Sequence, residues 1–319
     1  MENALGKPEA FRISDGIAAV LRDSFRPFPN MLKSILTFSL ILLVFDVFRV
    51  LPQKDLPAPK PLLETGQAAK TISGPDTPAE ITVVSYNIRW RTGAELEQIA
   101  SWLKSKHAVV IALQEVDRAK QRTGKTNNAQ ALAKSLGMFY AWAAPPADKE
   151  NQEEETGVEL LSAYPLTDVT PMILPHKGPG RWRAAIGATI KVGKTSVRVY
   201  SVHSETRMVL GQKLDQYRAA IDDLARFPKS MPAIVMGDFN SWEPATVDAV
   251  RKLFAQENFT TPFPDDESTF KRSAVVFDVT LKLDWIWLRG LPAKSYGIDR
   301  TLTVSDHFPL RAEVSIASR

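Results

Sequence analysis

The sequence predicts an α/β fold preceded by a separate hydrophobic segment, and three observations lead there. From residue 81 onward, short apolar runs rich in β-branched residues alternate with stretches of helical periodicity. Polar and charged residues recur at the ends of those apolar runs, as they do where buried strands open into a pocket. The chain before residue 81 has a different composition, with an uncharged apolar run followed by a Pro-rich stretch.

The apolar runs that read as strands are "ITVVSYNI" (81–88), "AVVIALQEV" (108–116), "GVELLSAY" (157–164), "AAIGATIKV" (184–192), "SVRVYSVHS" (196–204), "AIVMGDF" (233–239), "DWIWLRG" (284–290) and "FPLRAEVSI" (308–316). Helices are predicted over 94–104, 128–136, 210–227 and 244–256. In the third, Leu210, Leu214, Tyr217, Ile221 and Leu224 recur at helical spacing and predict its inner face. Gly193 with Lys194 fits a hairpin turn. The acidic run "DKENQEEET" (148–156) reads as a solvated loop, and His107 as a surface residue. Trp285 and Trp287 alternate around Ile286, which predicts one core face and one face toward a pocket wall.

Four regions are expected: 1–30 as an N-terminal cytoplasmic segment, 31–51 as a transmembrane signal anchor, 52–80 as a Pro-rich linker and 81–319 as the α/β domain. "SILTFSLILLVF" (34–45) is the uncharged core of the second region, with Lys33, Asp46 and Arg49 at its flanks. A cleaved signal and an interfacial helix are the alternatives. Lys7, Arg12, Arg22, Arg26 and Lys33 precede the run, which is the positive-inside arrangement, although Arg49 and Lys54 follow it. The expected location is a bacterial inner membrane with the α/β domain outside the cytoplasm. The absence of cysteine excludes disulfides, thiolate zinc sites and a cysteine nucleophile. A net charge of +4 permits an anionic partner without demanding one.

Asn87, Glu115, His203, Asp238 with Asn240, Asp284, and Asp306 with His307 lie at strand ends, which predicts that each sits at a sheet edge rather than in the core. Any one of them fits a bland role: "GDFN" is ordinary turn chemistry, and a lone histidine is commonly a satisfied edge residue. Their repetition at several strand ends predicts one polar pocket on rigid elements. Hard oxygen ligands of this kind suit Mg²⁺ or Mn²⁺, and imidazoles beside them suit proton transfer near neutral pH.

In their order, "SYNIRW", "ALQEVD", "YSVHS", "MGDFNSW", "LDWIWL" and "VSDHFPL" resemble the motifs of the endonuclease/exonuclease/phosphatase superfamily across about residues 81–315. The resemblance implies a four-layer α/β sandwich of two mixed β-sheets flanked by helices. It also implies a metal-dependent phosphoesterase that hydrolyses phosphodiester bonds by water attack on phosphorus. Glu115 would bind the metal, with Asn87 and Asp306 beside it. Asp238 and Asn240 would position water and phosphate, and Asp284 would orient His307. His203 stands where apurinic endonucleases carry asparagine, which places the chain nearer the DNase, sphingomyelinase and phosphatase branches. The "LLSAYPL" segment lacks the arginine usual in the family.

A nucleic-acid backbone is the first expectation for the substrate. A phospholipid headgroup, reached from a membrane tether, is the alternative. "HKGPGRWR" (176–183) suits either, or is a solvated loop around one packed tryptophan. No obligate protein partner is inferred. A non-catalytic binding protein on the same fold, or a tethered structural protein, would not need the full set of polar groups that this sequence carries.

Overall fold

The computed structural model describes residues 58–67, 78–146, 155–177, 181–273 and 277–316. The expected anchor at 31–51 and the N-terminal segment lie outside them. Among the described residues, no helix is long and apolar enough to cross a membrane.

The strands are β1 (Leu62–Gln67), β2 (Glu80–Asn87), β3 (Ala108–Arg118), β4 (Phe139–Ala144), β5 (Glu155–Ser162), β6 (Thr167–Ile173), β7 (Ala184–Val192), β8 (Thr195–His203), β9 (Ala233–Asp238), β10 (Phe270–Ser273), β11 (Asp278–Leu281), β12 (Asp284–Arg289), β13 (Ala293–Ile298) and β14 (Leu310–Ser315). The helices are α1 (Gly93–Ser105), α2 (Asn128–Leu136), α3 (Leu210–Leu224) and α4 (Pro244–Gln256).

One mixed sheet of seven strands runs β1-β4-β5-β3-β2-β14-β13, and a second of five runs β12-β9-β8-β7-β6. The β10–β11 ribbon stands apart from both. Each large sheet contains one parallel pair, β2–β3 and β8–β9, among antiparallel neighbours. A cluster that includes Ile81, Val83, Val110, Ala112, Val199, Ile234, Met236 and Ile286 fills the space between the sheets. Leu96, Ile99 and Leu103 of α1 and Leu132 of α2 pack on the outer face of the seven-stranded sheet. Tyr217, Ala220 and Leu224 of α3, with Val250 and Phe254 of α4, pack on the outer face of the five-stranded one. The order helix, sheet, sheet, helix is the expected four-layer sandwich.

Local chemistry explains the junctions. Asn127 caps α2 by accepting from the Gln130 amide, and Gly137 ends the helix at φ 69°. Gly193 and Lys194 form the two-residue β7–β8 hairpin, with Gly193 at φ 59°.

The structure departs from the expectation in several places. Residues 62–67 of the expected linker form β1, an edge strand paired antiparallel with β4. Its Glu64 accepts hydrogen bonds from Tyr140, Asn127 and Arg118, so polar contacts fix a strand that hydrophobicity does not announce. Glu155 and Thr156, expected in the acidic loop, open β5. Trp285 and Trp287 both lie in the core beneath α4, on the sheet face away from Ile286, and line no pocket wall. Trp287 stacks on Phe254 at 4.7 Å between ring centroids.

Candidate active site

The inter-sheet faces of four strands change character along their length. On β2, Ile81 and Val83 face the inter-sheet core, and the same parity continues through Ser85 to Asn87. On β8 the row runs Val197, Val199, Ser201, His203. On β9 it is Ile234, Met236, Asp238, and on β12 it is Leu288, Ile286, Asp284. The interior is therefore apolar toward one end of the sandwich and polar toward the other. Register completes the pattern. His203 pairs with Asp238, and Asp238 with Asp284, so these three side chains form one row across β8, β9 and β12.

β3 contributes through a defect in its ladder. Its pairing with β5 shifts between Gln114 and Val116, and Glu115 is the extra residue, at φ 56°. A bulge re-aims side chains. Val116 returns to the outer face with Leu113, and Glu115 turns toward the site beside Gln114. Gln114 donates to Ser201 Oγ at 3.1 Å, joining the two sheets. Asn240 also adopts positive φ, 49°, which asparagine tolerates well. Gly237 precedes Asp238 where a Cβ would collide with the Val202 carbonyl, so only glycine lets β9 approach β8 this closely.

The polar groups meet at short range. Asn87 Nδ2 donates to Asp238 Oδ2 at 3.0 Å and to Glu115 Oε1 at 3.3 Å. The Arg89 amide donates to Asn87 Oδ1 at 3.0 Å, which fixes the orientation of the amide group. His203 Nε2 lies 3.5 Å from Asp238 Oδ2 and 3.9 Å from Glu115 Oε1. His307 Nδ1 is 2.9 Å from Asp284 Oδ2, and its Nε2 is 3.8 Å from Asp238 Oδ2. Thr269 Oγ1 accepts from the Asp284 amide at 3.0 Å. Asn240 Nδ2 donates to the Ser204 carbonyl at 2.9 Å, and the Asn240 amide donates to Asp238 Oδ1 at 3.0 Å.

These groups were expected at a sheet edge; the structure instead buries most of them between the sheets. Asn87, Asp238, Asn240, Asp284, His203 and His307 are all buried. The Glu115 and Asp306 side chains keep 21% and 13% of their surface exposed. Asp306 is engaged by Arg89 at 2.7 Å. Seven of the eight residues thus meet in one network. The eighth, Asp306, sits beside His307 and is turned to Arg89.

Burial and charge set the protonation states. Burial alone would lower the His307 pKa, but the carboxylates of Asp284 and Asp238 outweigh it and raise it. Burial, with the positive Arg183 and His307 nearby, holds the His203 pKa well below its usual value. Burial raises the Asp238 carboxyl; the His307 charge opposes that shift, and Asp284 reinforces it. The pocket therefore holds one cationic imidazole, one neutral imidazole and a carboxylate inclined to take a proton.

Asp238, Asp284 and His307 could each turn one ligand atom toward a common point. The 2.9 Å Asp284–His307 contact already uses one of those atoms, so this trio is better read as a proton-handling group. The oxygen-rich mouth at Glu115 is the better match for a hard cation.

Several contributors gave little sequence signal. The triplets Arg89-Trp90-Arg91 and Arg181-Trp182-Arg183 flank the site on loops from different sheets, and each sends one arginine inward. Arg89 reaches Asp306. Arg183 Nη1 lies 3.5 Å from His203 Nδ1, and its Nε donates to buried Glu205 at 3.1 Å. The repetition of the triplet was the available cue. A cavity of about 770 Å³ bordered by Lys194, Phe227, Pro232 and Leu291 lies at the opposite strand ends, away from all this chemistry.

A model of the endonuclease/exonuclease/phosphatase family matches residues 84–307, which span every one of these groups. The chain belongs to that family. Family members hydrolyse phosphate esters and phosphodiesters and depend on divalent metal, so membership places this chain among phosphoesterase- or nuclease-type hydrolases. Solved structures agree on the fold. A family protein from Leptotrichia buccalis is 18% identical with a TM-score of 0.59, covering 74% of this chain and 100% of its own. TDP2 from D. rerio, solved with a single-strand DNA product, is 16% identical with a TM-score of 0.59, covering 75% and 100%. The human Nocturnin catalytic domain, with bound sulfate, is 21% identical with a TM-score of 0.56, covering 74% and 93%. Comparison with curated proteins gives no match.

Proposed function

We propose that this family member is a divalent-metal-dependent phosphodiesterase in which water attacks phosphorus. The observation that carries the proposal is the His203–Asp238–Asp284 row of one sheet facing Asn87 and Glu115 of the other. Two sheets converge on one small volume, and the groups there match the charge changes of phosphodiester hydrolysis. The donor set offers a hard cation one partly exposed carboxylate, that of Glu115, while the neighbouring Asn87 turns its Nδ2 to Glu115 and its Oδ1 to the Arg89 amide. Glu115 would hold Mg²⁺ or Mn²⁺; Asn87 and Asp306 would join it only on turning from their present contacts with Arg89. The ion, when bound, supplies charge neutralisation and polarisation of a phosphoryl oxygen.

The chain's own residues do the rest. Asp238, its carboxyl raised by burial, takes the proton of the attacking water. Asn240 keeps one amide proton on the Ser204 carbonyl and has the second to offer a phosphoryl oxygen. His307, held cationic by Asp284, balances the charge that develops on phosphate and can protonate the leaving oxygen. His203 stays neutral and donates or accepts at the Asp238–Glu115 edge.

Hydrolysis of bis-p-nitrophenyl phosphate with Mg²⁺ or Mn²⁺, abolished by chelator and restored by metal, is the expected result. Undiminished activity in chelator would sink the metal role. For the natural substrate we put a nucleic-acid backbone first, supported by the inward arginines of the two Arg-Trp-Arg triplets. A phospholipid headgroup is the second reading, supported by the tryptophans in those triplets and by the apolar run at 31–51, which we propose tethers the domain to the bacterial inner membrane, facing outward. Plasmid nicking that weakens steeply with salt supports the first. Headgroup release from vesicles with DNA and RNA left intact supports the second. Protease added to intact spheroplasts should digest the domain; protection until lysis would overturn the proposed topology.

A further inference from the structure

We propose that Lys213 is a positioning residue that holds Asn240 in its working conformation; this deepens the phosphodiesterase reading and rests on it. Lys213 is in the first turn of α3, fully buried, and its Nζ donates to the Asn240 carbonyl at 2.8 Å. A buried ammonium must be paired to stay charged, and a cation in the first turn is opposed by the positive end of the helix dipole. A methionine of similar length would face neither demand, so packing alone does not account for a lysine.

One contact of the lysine controls a single peptide. Asn240 sits at φ 49°, immediately past the point where β9 ends. Its amide proton is tied to Asp238, its side-chain amide to Ser204, and its carbonyl to Lys213. The three contacts fix the residue on three sides and leave the second Nδ2 proton as the group free to meet substrate. The neighbouring turn of the same helix does the same for adjacent backbone. Tyr217 Oη donates to the Phe239 carbonyl at 2.6 Å. Gln216 accepts from the Glu205 amide at 2.8 Å and donates to the Pro175 carbonyl at 2.8 Å. One face of α3 thus pins three loops around the pocket, and Lys213 is the member that touches the proposed phosphate-binding residue. A charge-assisted hydrogen bond is roughly twice as strong as a neutral one. It also polarises the Asn240–Ser241 peptide, placing fixed positive charge under the position where an anion would bind.

The experiment compares Lys213→Met, Lys213→Arg, Asn240→Ala and the Lys213→Met/Asn240→Ala pair in the full chain, on bis-p-nitrophenyl phosphate with Mn²⁺. Lys213→Met should lower kcat roughly 10- to 100-fold with KM within about threefold, the pattern of an interaction used in the transition state. Lys213→Arg, which can still donate to the carbonyl, should recover most of the loss. In the Asn240→Ala background, Lys213→Met should cost less than about threefold more, because both changes remove one function. A Lys213→Met protein with normal kcat, or losses that multiply in the double variant, would overturn the inference. Crystal structures of Lys213→Arg and Lys213→Met give a readout independent of activity. The arginine variant should keep Asn240 at positive φ with its Ser204 contact, and the methionine variant should lose one or both. Asn240 unmoved in Lys213→Met would refute the positioning role even if wild type hydrolysed nothing, whereas an inactive wild type would refute the phosphodiesterase reading alone.

Discussion

Helices α1 and α3, on opposite faces of this sandwich, do different jobs. α1 buries Leu96, Ile99, Ala100 and Leu103, an apolar stripe that packs on a sheet and does nothing else visible. α3 buries Lys213, Gln216, Tyr217, Ala220, Asp223 and Leu224. Four of those six carry polar groups, and three of them hold the backbone of pocket loops. The fourth, Asp223, pairs with buried Arg198 and accepts from Tyr200 at 2.8 Å. α1 therefore supplies cohesion. α3 spends part of its burial on holding a site, and a helix that does so is poorly described by its hydrophobic pattern.

That contrast orders the predictions. The largest effect is expected inside the pocket. His307→Ala should lower turnover by about 10²-fold or more, the scale of a lost acid–base group. Asp284→Asn should fall nearly as far. The double variant should fall little further, since the pair acts as a unit. Steady-state kinetics check this, and losses that multiply would separate the two residues.

On the cohesive side, Leu103→Ala in α1 should cost about 2–5 kcal/mol of stability. The folded protein should keep its kcat, because no pocket residue leans on that side chain. Denaturant unfolding with activity per folded molecule tests both parts, and a kcat loss there would erase the distinction between the two helices.

The smallest effect concerns Glu159, buried on the helix side of the seven-stranded sheet with neither carboxylate oxygen hydrogen-bonded. Burial, reinforced by the nearby Glu64 charge, raises its pKa well above the ordinary value. The folded state thus keeps a proton that the unfolded state releases as pH climbs past the ordinary glutamate pKa, so stability falls with rising pH above that point. Glu159→Gln should remove the penalty, raising Tm near pH 8 by about 2–4 °C for each kcal/mol recovered. The two proteins should converge below roughly pH 4, where the carboxyl is protonated in both states. An equal shift at both pH values would show that packing rather than ionisation is responsible.

Much of the site was legible because it obeys strand periodicity. Asn87, His203, Asp238 and Asp284 each end an apolar run in phase with its inward residues, and a period of two is visible in sequence. What was illegible had physical reasons. The bulge that turns Glu115 inward depends on pairing with β5, a partner that local sequence does not reveal. β1 is held by contacts to Glu64 from residues at least 54 positions away, so a Pro-rich neighbourhood concealed it. In α3 the periodic leucines predicted the inner face, yet Leu210 is exposed and Lys213 is fully buried. The helix turns its apolar stripe partly outward because the loops beneath it need hydrogen bonds. The burial of the site was missed because strand ends read as edges, whereas here two sheets close over them.

The central claim is that inward-facing residues of both sheets make one hydrolytic centre, with Asp238 at its middle. The most direct test is the rate of bis-p-nitrophenyl phosphate hydrolysis by Asp238→Asn against wild type, at saturating Mn²⁺ and matched folded concentration. Asparagine preserves shape while removing the charge and the capacity to take a proton. The account predicts a fall of about 10²-fold or more with wild-type metal dependence otherwise retained. A variant within threefold of wild type would contradict it and move the chemistry away from this row of residues.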